Sequence, residues 1–203
     1  MKEVTTTFCS AVLAGIAISM GCVVYLRVGG VAGACLFAFG LLTCVGFSLK
    51  LYTGTAGFVD SLRSLRMLLV VLGGNIAGCL MMALAMRHSM ADIVERAGMI
   101  VNARLDMDLL SGLLLSTACG FIMTTAVKFA REKHFLPLLF GVPLFILCGF
   151  IHSIADAFYT LVAPTGLLVA NVVRLVVFYV TIVVGNFIGC NLYRIVMMRM
   201  KYD

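Results

Sequence analysis

The sequence predicts an all-α membrane protein of six transmembrane helices, built as two inverted three-helix repeats with the second and fifth helices broken. Three observations carry that prediction. The 203 residues are 63% hydrophobic and only 12% charged, whereas soluble domains run at about 45–50% apolar and about 25% charged. The apolar residues fall in long unbroken runs, not in the alternating segments of roughly ten residues that build a membrane barrel. And one pattern, GNxxGC, occurs twice, offset by 111 residues. No polar tract or basic arm is long enough for a disordered or nucleic-acid-binding chain. At about 20 apolar residues per span, the length accommodates five to seven helices.

The elements follow in order. A short polar segment, 1–7, precedes an apolar run from Phe8 to Leu26. That run does not read as a cleavable signal, because its flank carries one Lys and one Glu and equally apolar segments follow. After a break at 27–30, the second stretch, about 31–59, is too long for one simple span. It is interrupted by Ser48, Lys50, Tyr52, Thr53 and Gly54. Asp60, Arg63 and Arg66 mark a loop, and a third span covers about 67–86, ending at Arg87-His88. Residues 88–108 are the longest polar region and read as a loop. The fourth span is about 109–127, followed by a loop from Lys128 to His134. The fifth stretch, about 135–162, is again interrupted, by His152, Ser153 and Asp156. Pro164-Thr165-Gly166 is turn chemistry. The sixth span covers about 168–192, with Arg194, Arg199 and Lys201 after it. Residues 1–203 thus read as a single transmembrane domain, with repeats at about 1–87 and 104–203.

Six crossings put both termini on one side. Lys2, Arg63, Arg66, Lys128, Arg131, Lys133, Arg194, Arg199 and Lys201 fall on that side. Arg27, Arg87, Arg96, Arg104 and Arg174 fall on the other, and Lys50 lies within a span. The excess predicts cytoplasmic termini in the inner (plasma) membrane. The eight cysteines all lie in apolar runs and form no CxxC pair. They read as small hydrophobes, and with no His or carboxylate cluster beside them no metal or other cofactor is expected.

Each GNxxGC copy lies in the third helix of its half, around Asn75 and around Asn186. An odd number of helices per half inverts one half relative to the other, as in inverted-repeat transporters and channels. Two readings of the motif stand. One is close helix packing through glycine, with Asn as interhelical glue. The other is irregular backbone beside a polar path.

Lys50, His152 and Asp156 are ionisable groups at membrane depth, where such groups are costly and face a cavity or a partner. Bland readings exist beside that one: Lys50 snorkels to an interface, and Asp156 sits at headgroup level near Tyr159. His152 is the one His flanked on both sides by apolar sequence. A neutral imidazole donates a hydrogen bond and titrates near neutral pH, which suits a pore.

At these residues the chain resembles the formate/nitrite transporter family. The segment Gly149-Phe150-Ile151-His152-Ser153-Ile154-Ala155-Asp156-Ala157-Phe158 is similar to that family's G-F-E-H-S-I-A-N-M-F stretch. Leu51-Tyr52-Thr53-Gly54 resembles its L-F-T-G, the GNxxG pair recurs in it, and Ala14–Ser19 resembles its A-G-x-x-I-S. The resemblance implies an aquaporin-like protomer in a homo-pentamer, with one pore per subunit. It implies His152 as the central pore histidine with Thr53 beside it. Leu51 and Phe145, with Leu41, would form an apolar narrowing on the cytoplasmic side of His152. Phe37 would lie toward the outer narrowing, and Arg104 would line a vestibule. The chain departs from the family pattern in opposite charge senses, at Lys50 where an acid is frequent and at Asp156 where Asn is usual. Those departures suggest an intramembrane pair, Lys50 with Asp156.

The expected function is a channel or proton-linked transporter for small monovalent weak-acid anions: formate, nitrite, hydrosulfide, acetate or lactate. Its partners would be the anion, protons, the lipid bilayer and further copies of the chain, with no nucleic acid. Two other classes stay open at this point. A neutral-solute channel of the aquaporin type would be expected to carry paired NPA turns, and none is present. A membrane enzyme using His152 and Asp156 would need a metal cluster, a nucleophile with its base, or a phosphate loop, so the chain reads as a non-enzyme.

Overall fold

A computed structural model describes the backbone of residues 2–200 and the side chains of residues 2–196. The Arg199 side chain and Lys201, counted above at the C-terminal end, lie outside the described residues. Every regular element is helical: α1 Lys2–Val28, α2 Gly30–Gly46, α3 Tyr52–Thr55 with a 3-10 turn at Ala56–Phe58, α4 Leu62–Ser89, α5 Ala91–Asp106, α6 Leu109–Arg131, α7 Leu136–Leu147, α8 Ser153–Val162 and α9 Thr165–Met200. Among the described residues, α1, α4, α6 and α9 are each long and apolar enough to cross a membrane. α2, α7 and α8 are shorter apolar helices.

α1 lies along α4 and α2, and α6 lies along α9 and α7. The halves then interlock, because α8 packs on α4 and the 3-10 turn after α3 packs on α9. Both interruptions expected from polar residues are real breaks. α2 ends at Gly46 and α7 at Leu147, and the next helices start at Tyr52 and Ser153, each 101 residues after its counterpart. Ser48 and Gly149 carry the turn in the left-handed region, at φ 53° and φ 72°. Gly149 suits that conformation, since it has no Cβ to clash there.

The polar region 88–108 is not a loop. It holds α5, whose buried stripe is Ile93, Ala97, Val101 and Leu105, four residues apart. That i+4 spacing puts one apolar edge on α8 while Glu95, Arg96 and Asp106 stay exposed. α5 is too polar for a span and too periodic for a loop. Asp108 starts α6 by accepting from the Ser111 N–H (2.9 Å) and the Ser111 hydroxyl (2.6 Å). Those hydrogen bonds hold its carboxyl below the usual carboxylate range.

The GNxxGC motifs serve both readings at once. A Cβ on Gly78 would meet the Val12 carbonyl oxygen, and one on Gly189 would meet that of Thr117. These glycines let α4 close on α1 and α9 close on α6. The asparagines do something more. Asn75 Oδ1 accepts from the Tyr52 N–H (2.8 Å), and its Nδ2 donates to the carbonyls of Lys50 (2.9 Å) and Ala11 (2.8 Å). Asn186 Oδ1 accepts from the Ser153 N–H (2.8 Å), and its Nδ2 donates to Ile151 (2.8 Å) and Ser116 (2.7 Å). Each amide therefore bridges one break and ties it to a neighbouring helix.

Replacing either Asn strands the two backbone groups it holds at its break, an N–H and a carbonyl, each at about 1–3 kcal/mol. Asn186→Ala is expected to lower stability by at least about 2 kcal/mol, and the double variant with Asn75→Ala to fail to assemble. Thermal unfolding and size exclusion in detergent measure both.

Candidate functional site

The two breaks end on corresponding residues. Leu51 precedes α3 at φ −97°, ψ 136°, and His152 precedes α8 at φ −98°, ψ 115°. In this extended conformation a side chain leaves the helical face and its own backbone no longer screens it. His152 also caps α8: its Nδ1 accepts from the Ala155 N–H at 3.2 Å. A ring nitrogen that accepts carries no proton, so the imidazole is neutral with its proton on Nε2. That nitrogen lies 2.9 Å from Thr53 Oγ1. The Nε2–H donates and the hydroxyl oxygen accepts, which leaves the Thr53 O–H to donate elsewhere. His152 is 2% exposed and Thr53 is fully buried.

Rings and aliphatic side chains surround this pair. Phe145 stacks on the His152 ring with centroids 5.6 Å apart, and Phe37 meets Phe145 edge-on at 5.9 Å. Leu41 and Leu51 are buried and line the cavity on the other side. Phe145, expected in one narrowing with Leu41 and Leu51, does not line their cavity. It lines the opposite cavity together with His152. The break accounts for the correction: it folds back on the last turn of α7, where the Phe150 N–H bonds the Phe145 carbonyl (2.9 Å). His152 is thereby brought level with a residue seven positions earlier.

Two cavities approach the pair. One, of about 310 Å³, is lined by Leu41, Cys44, Ser48, Lys50, Leu51, Gly54 and Arg131. It opens at the end of the bundle where α1 begins, because Lys50 N–H bonds Ser10 Oγ (3.1 Å). We call this end the termini face. The other, of about 210 Å³, is lined by Tyr25, Arg104, Phe145, His152, Asp156 and Tyr159. It lies at the end covered by α5.

α8 places Asp156 one turn beyond His152, and α5 brings Arg104 over it. Arg104 Nε donates to Asp156 Oδ1 at 2.7 Å, with the two side chains 18% and 6% exposed. Asp156 is therefore paired with Arg104 and not with Lys50. Lys50 stands within its break and lines the termini-face cavity, whereas Asp156 stands one turn past its own break and lines the α5-face cavity. The charge departures at 50 and 156 are real, but they lie at opposite ends of the path.

By sequence Arg131 is only a loop charge. It is the last residue of α6, reaches back to donate to the Gly54 carbonyl (2.8 Å), and lies 4.3 Å over the Phe58 ring. Its position one turn past the apolar run was the available signal. Tyr25 and Tyr159 were also missed as cavity residues. No group of three or more His, Cys, Asp or Glu residues able to hold a metal occurs among the described residues.

Broken apolar helices that meet at a buried polar pair between two cavities define the class of membrane transport proteins. The family model for the formate/nitrite transporter family matches residues 1–200, and the chain belongs to that family. A structure described as a pentameric formate channel with formate bound is similar at TM-score 0.84 and 22% identity, over 99% of this chain and 98% of that one. Another, described as an FNT family ion channel, is similar at TM-score 0.77 and 15% identity, over 93% and 87%. A search among curated proteins finds no significant match.

A double-mutant cycle checks the pairing of Asp156. Arg104→Met with Asp156→Leu is expected to show a coupling energy above about 1 kcal/mol, and Lys50→Met with Asp156→Leu less than about 0.5 kcal/mol. The readout is thermal stability in detergent.

Proposed function

We propose that the chain is a channel or proton-linked transporter for small monovalent weak-acid anions, with formate, nitrite, hydrosulfide, acetate and lactate as the substrate class. The carrying observation is the Nε2–H donated to Thr53 between two cavities, inside apolar walls. A small anion entering that gap loses most of its hydration, which is costly while it is charged and unpaired. The imidazole offers a hydrogen bond to replace lost water. A weak acid has a second route, since it takes a proton and crosses neutral.

The same reading has six crossings in two inverted repeats, α1 to α4 and α6 to α9, with α2–α3 and α7–α8 each crossing once as a broken helix. The matched asparagine bridges support it, and so do the breaks 101 residues apart. It has a homo-pentamer with one pore per subunit, supported by the pentameric neighbour and by exposed apolar residues such as Val169 (73%) and Val173 (74%). Those side chains need lipid or another subunit over them. Both termini face the cytoplasm. Single-Cys labelling at α5 and at residue 196 in intact cells, in a Cys-free background, checks this: α5 labels from outside and residue 196 does not.

Reconstituted into liposomes, the protein is expected to move labelled formate without turning it over, faster as the pH falls and more of the acid is neutral. His152→Asn keeps an acceptor for the Ala155 N–H and a neutral donor, so weak-acid flux persists. His152→Phe removes both. A donor to a charged group is worth about 1.5–3 kcal/mol, so flux falls roughly ten- to a hundredfold. Wild-type flux in a well-assembled His152→Phe protein would remove this residue from the mechanism.

A further inference from the structure

The two cavities differ in how their cations are compensated. On the α5 face the Arg104 guanidinium is met by the Asp156 carboxylate at 2.7 Å. On the termini face Lys50 and Arg131 line one volume of about 310 Å³, and neither forms an ion pair among the described residues. Arg131 is held by neutral groups alone, the Gly54 carbonyl (2.8 Å) and the Phe58 ring. These contacts aim the guanidinium without cancelling its charge. Gly54 follows Thr53 directly in the chain, so Arg131 is tied beside the residue that accepts the His152 hydrogen bond.

Lys50 is fixed in the same manner at its backbone. Its N–H bonds Ser10 Oγ and its carbonyl accepts from Asn75. Lys50 also lines a neighbouring pocket together with Glu3 and Arg63. The nearby carboxylates are engaged elsewhere: Glu3 bonds Arg63 at 2.5 Å, and Glu132 bonds Lys128 at 2.8 Å. Two basic residues and no acidic one therefore line this small cavity.

We propose that this cavity is an anion-binding site, in which the Lys50 ammonium and the Arg131 guanidinium hold one monovalent carboxylate or inorganic anion. The guanidinium fork suits a carboxylate, and the pair raises the local anion concentration ahead of His152 and Thr53. On the transport reading above, on which this consequence rests, the cytoplasmic mouth is the loading end. The α5 face, with Arg104 neutralised, is the weaker one. The path is thereby biased in affinity, though a passive pore still runs down its gradient.

The test uses ¹³C-formate as probe, with the folded oligomer verified by size exclusion. Line broadening of the formate signal by detergent-solubilised protein reports binding without transport. It is expected to be saturable, to weaken as ionic strength rises, and to persist in His152→Phe. Lys50→Gln and Arg131→Gln should each weaken it about tenfold, and Lys50→Arg should restore it. In liposomes, Lys50→Gln should raise the half-saturating formate on the termini face about tenfold and leave that on the α5 face unchanged. Broadening that neither Gln variant alters overturns the site. If the wild type binds formate in this way but carries none, the transport reading falls and the site stands. If formate is carried and both Gln variants keep wild-type affinity on both faces, the site falls and the transport reading stands.

Discussion

Backbone N–H and C=O groups cannot be left bare in hydrocarbon, and this chain leaves two stretches of them without a helix to satisfy them. Everything that positions the site depends on how those stretches, 47–51 and 148–152, are satisfied. The preceding helix ends, Ser10 and Leu115 take most of the N–H groups, and one buried asparagine in each half, Asn75 or Asn186, ties the far end of the break to the start of the next helix. Each amide also bonds a carbonyl on the flanking long helix, Ala11 or Ser116. The breaks are thus held rigidly to the scaffold. A hinge would serve a pore poorly, because a hydrogen-bond donor 1 Å out of place no longer replaces lost hydration.

The bridges also decide which side chains meet. Because the breaks are held in matching ways, the residues that end them, Leu51 and His152, come to corresponding places from opposite halves. One is apolar and one polar, so the near-symmetry of the backbone is not shared by the chemistry. The Ala155 N–H adds a constraint that geometry alone imposes: it occupies Nδ1 and commits the remaining ring proton to Nε2 and Thr53. Protonating the ring would place two N–H groups against each other at Nδ1. The arrangement favours hydrogen-bond donation by a neutral imidazole over its acting as a proton store.

Charge is distributed with the same asymmetry. The Asp156 carboxylate sits in a mostly buried place and would be costly alone. α5 supplies Arg104 to it from outside the main bundle, which gives this polar helix a structural reason to pack on α8. A consequence is that the cavity on that face carries a compensated pair, whereas Lys50 and Arg131 on the other face are held by neutral groups.

The membrane class and the broken second and fifth segments were legible in composition and in polar residues within apolar runs, because hydrocarbon tolerates these only for a reason. So were the repeated asparagines and the prominence of His152, since a local motif carries its own spacing. What the sequence alone determined therefore lies within single elements: where the apolar runs are, where they break, which polar groups sit in them. Contacts between elements were decided by the tertiary structure. Opposite charges at 50 and 156 suggested a pair, but the breaks send the two residues to opposite faces, and the partner of Asp156 comes from α5. Phe145 lies level with His152 because the chain folds back between them. Arg131 joins the site only because the end of α6 stands over Gly54. Sequence separation gives no measure of depth in a bundle whose helices reverse, and that is why these assignments needed three dimensions.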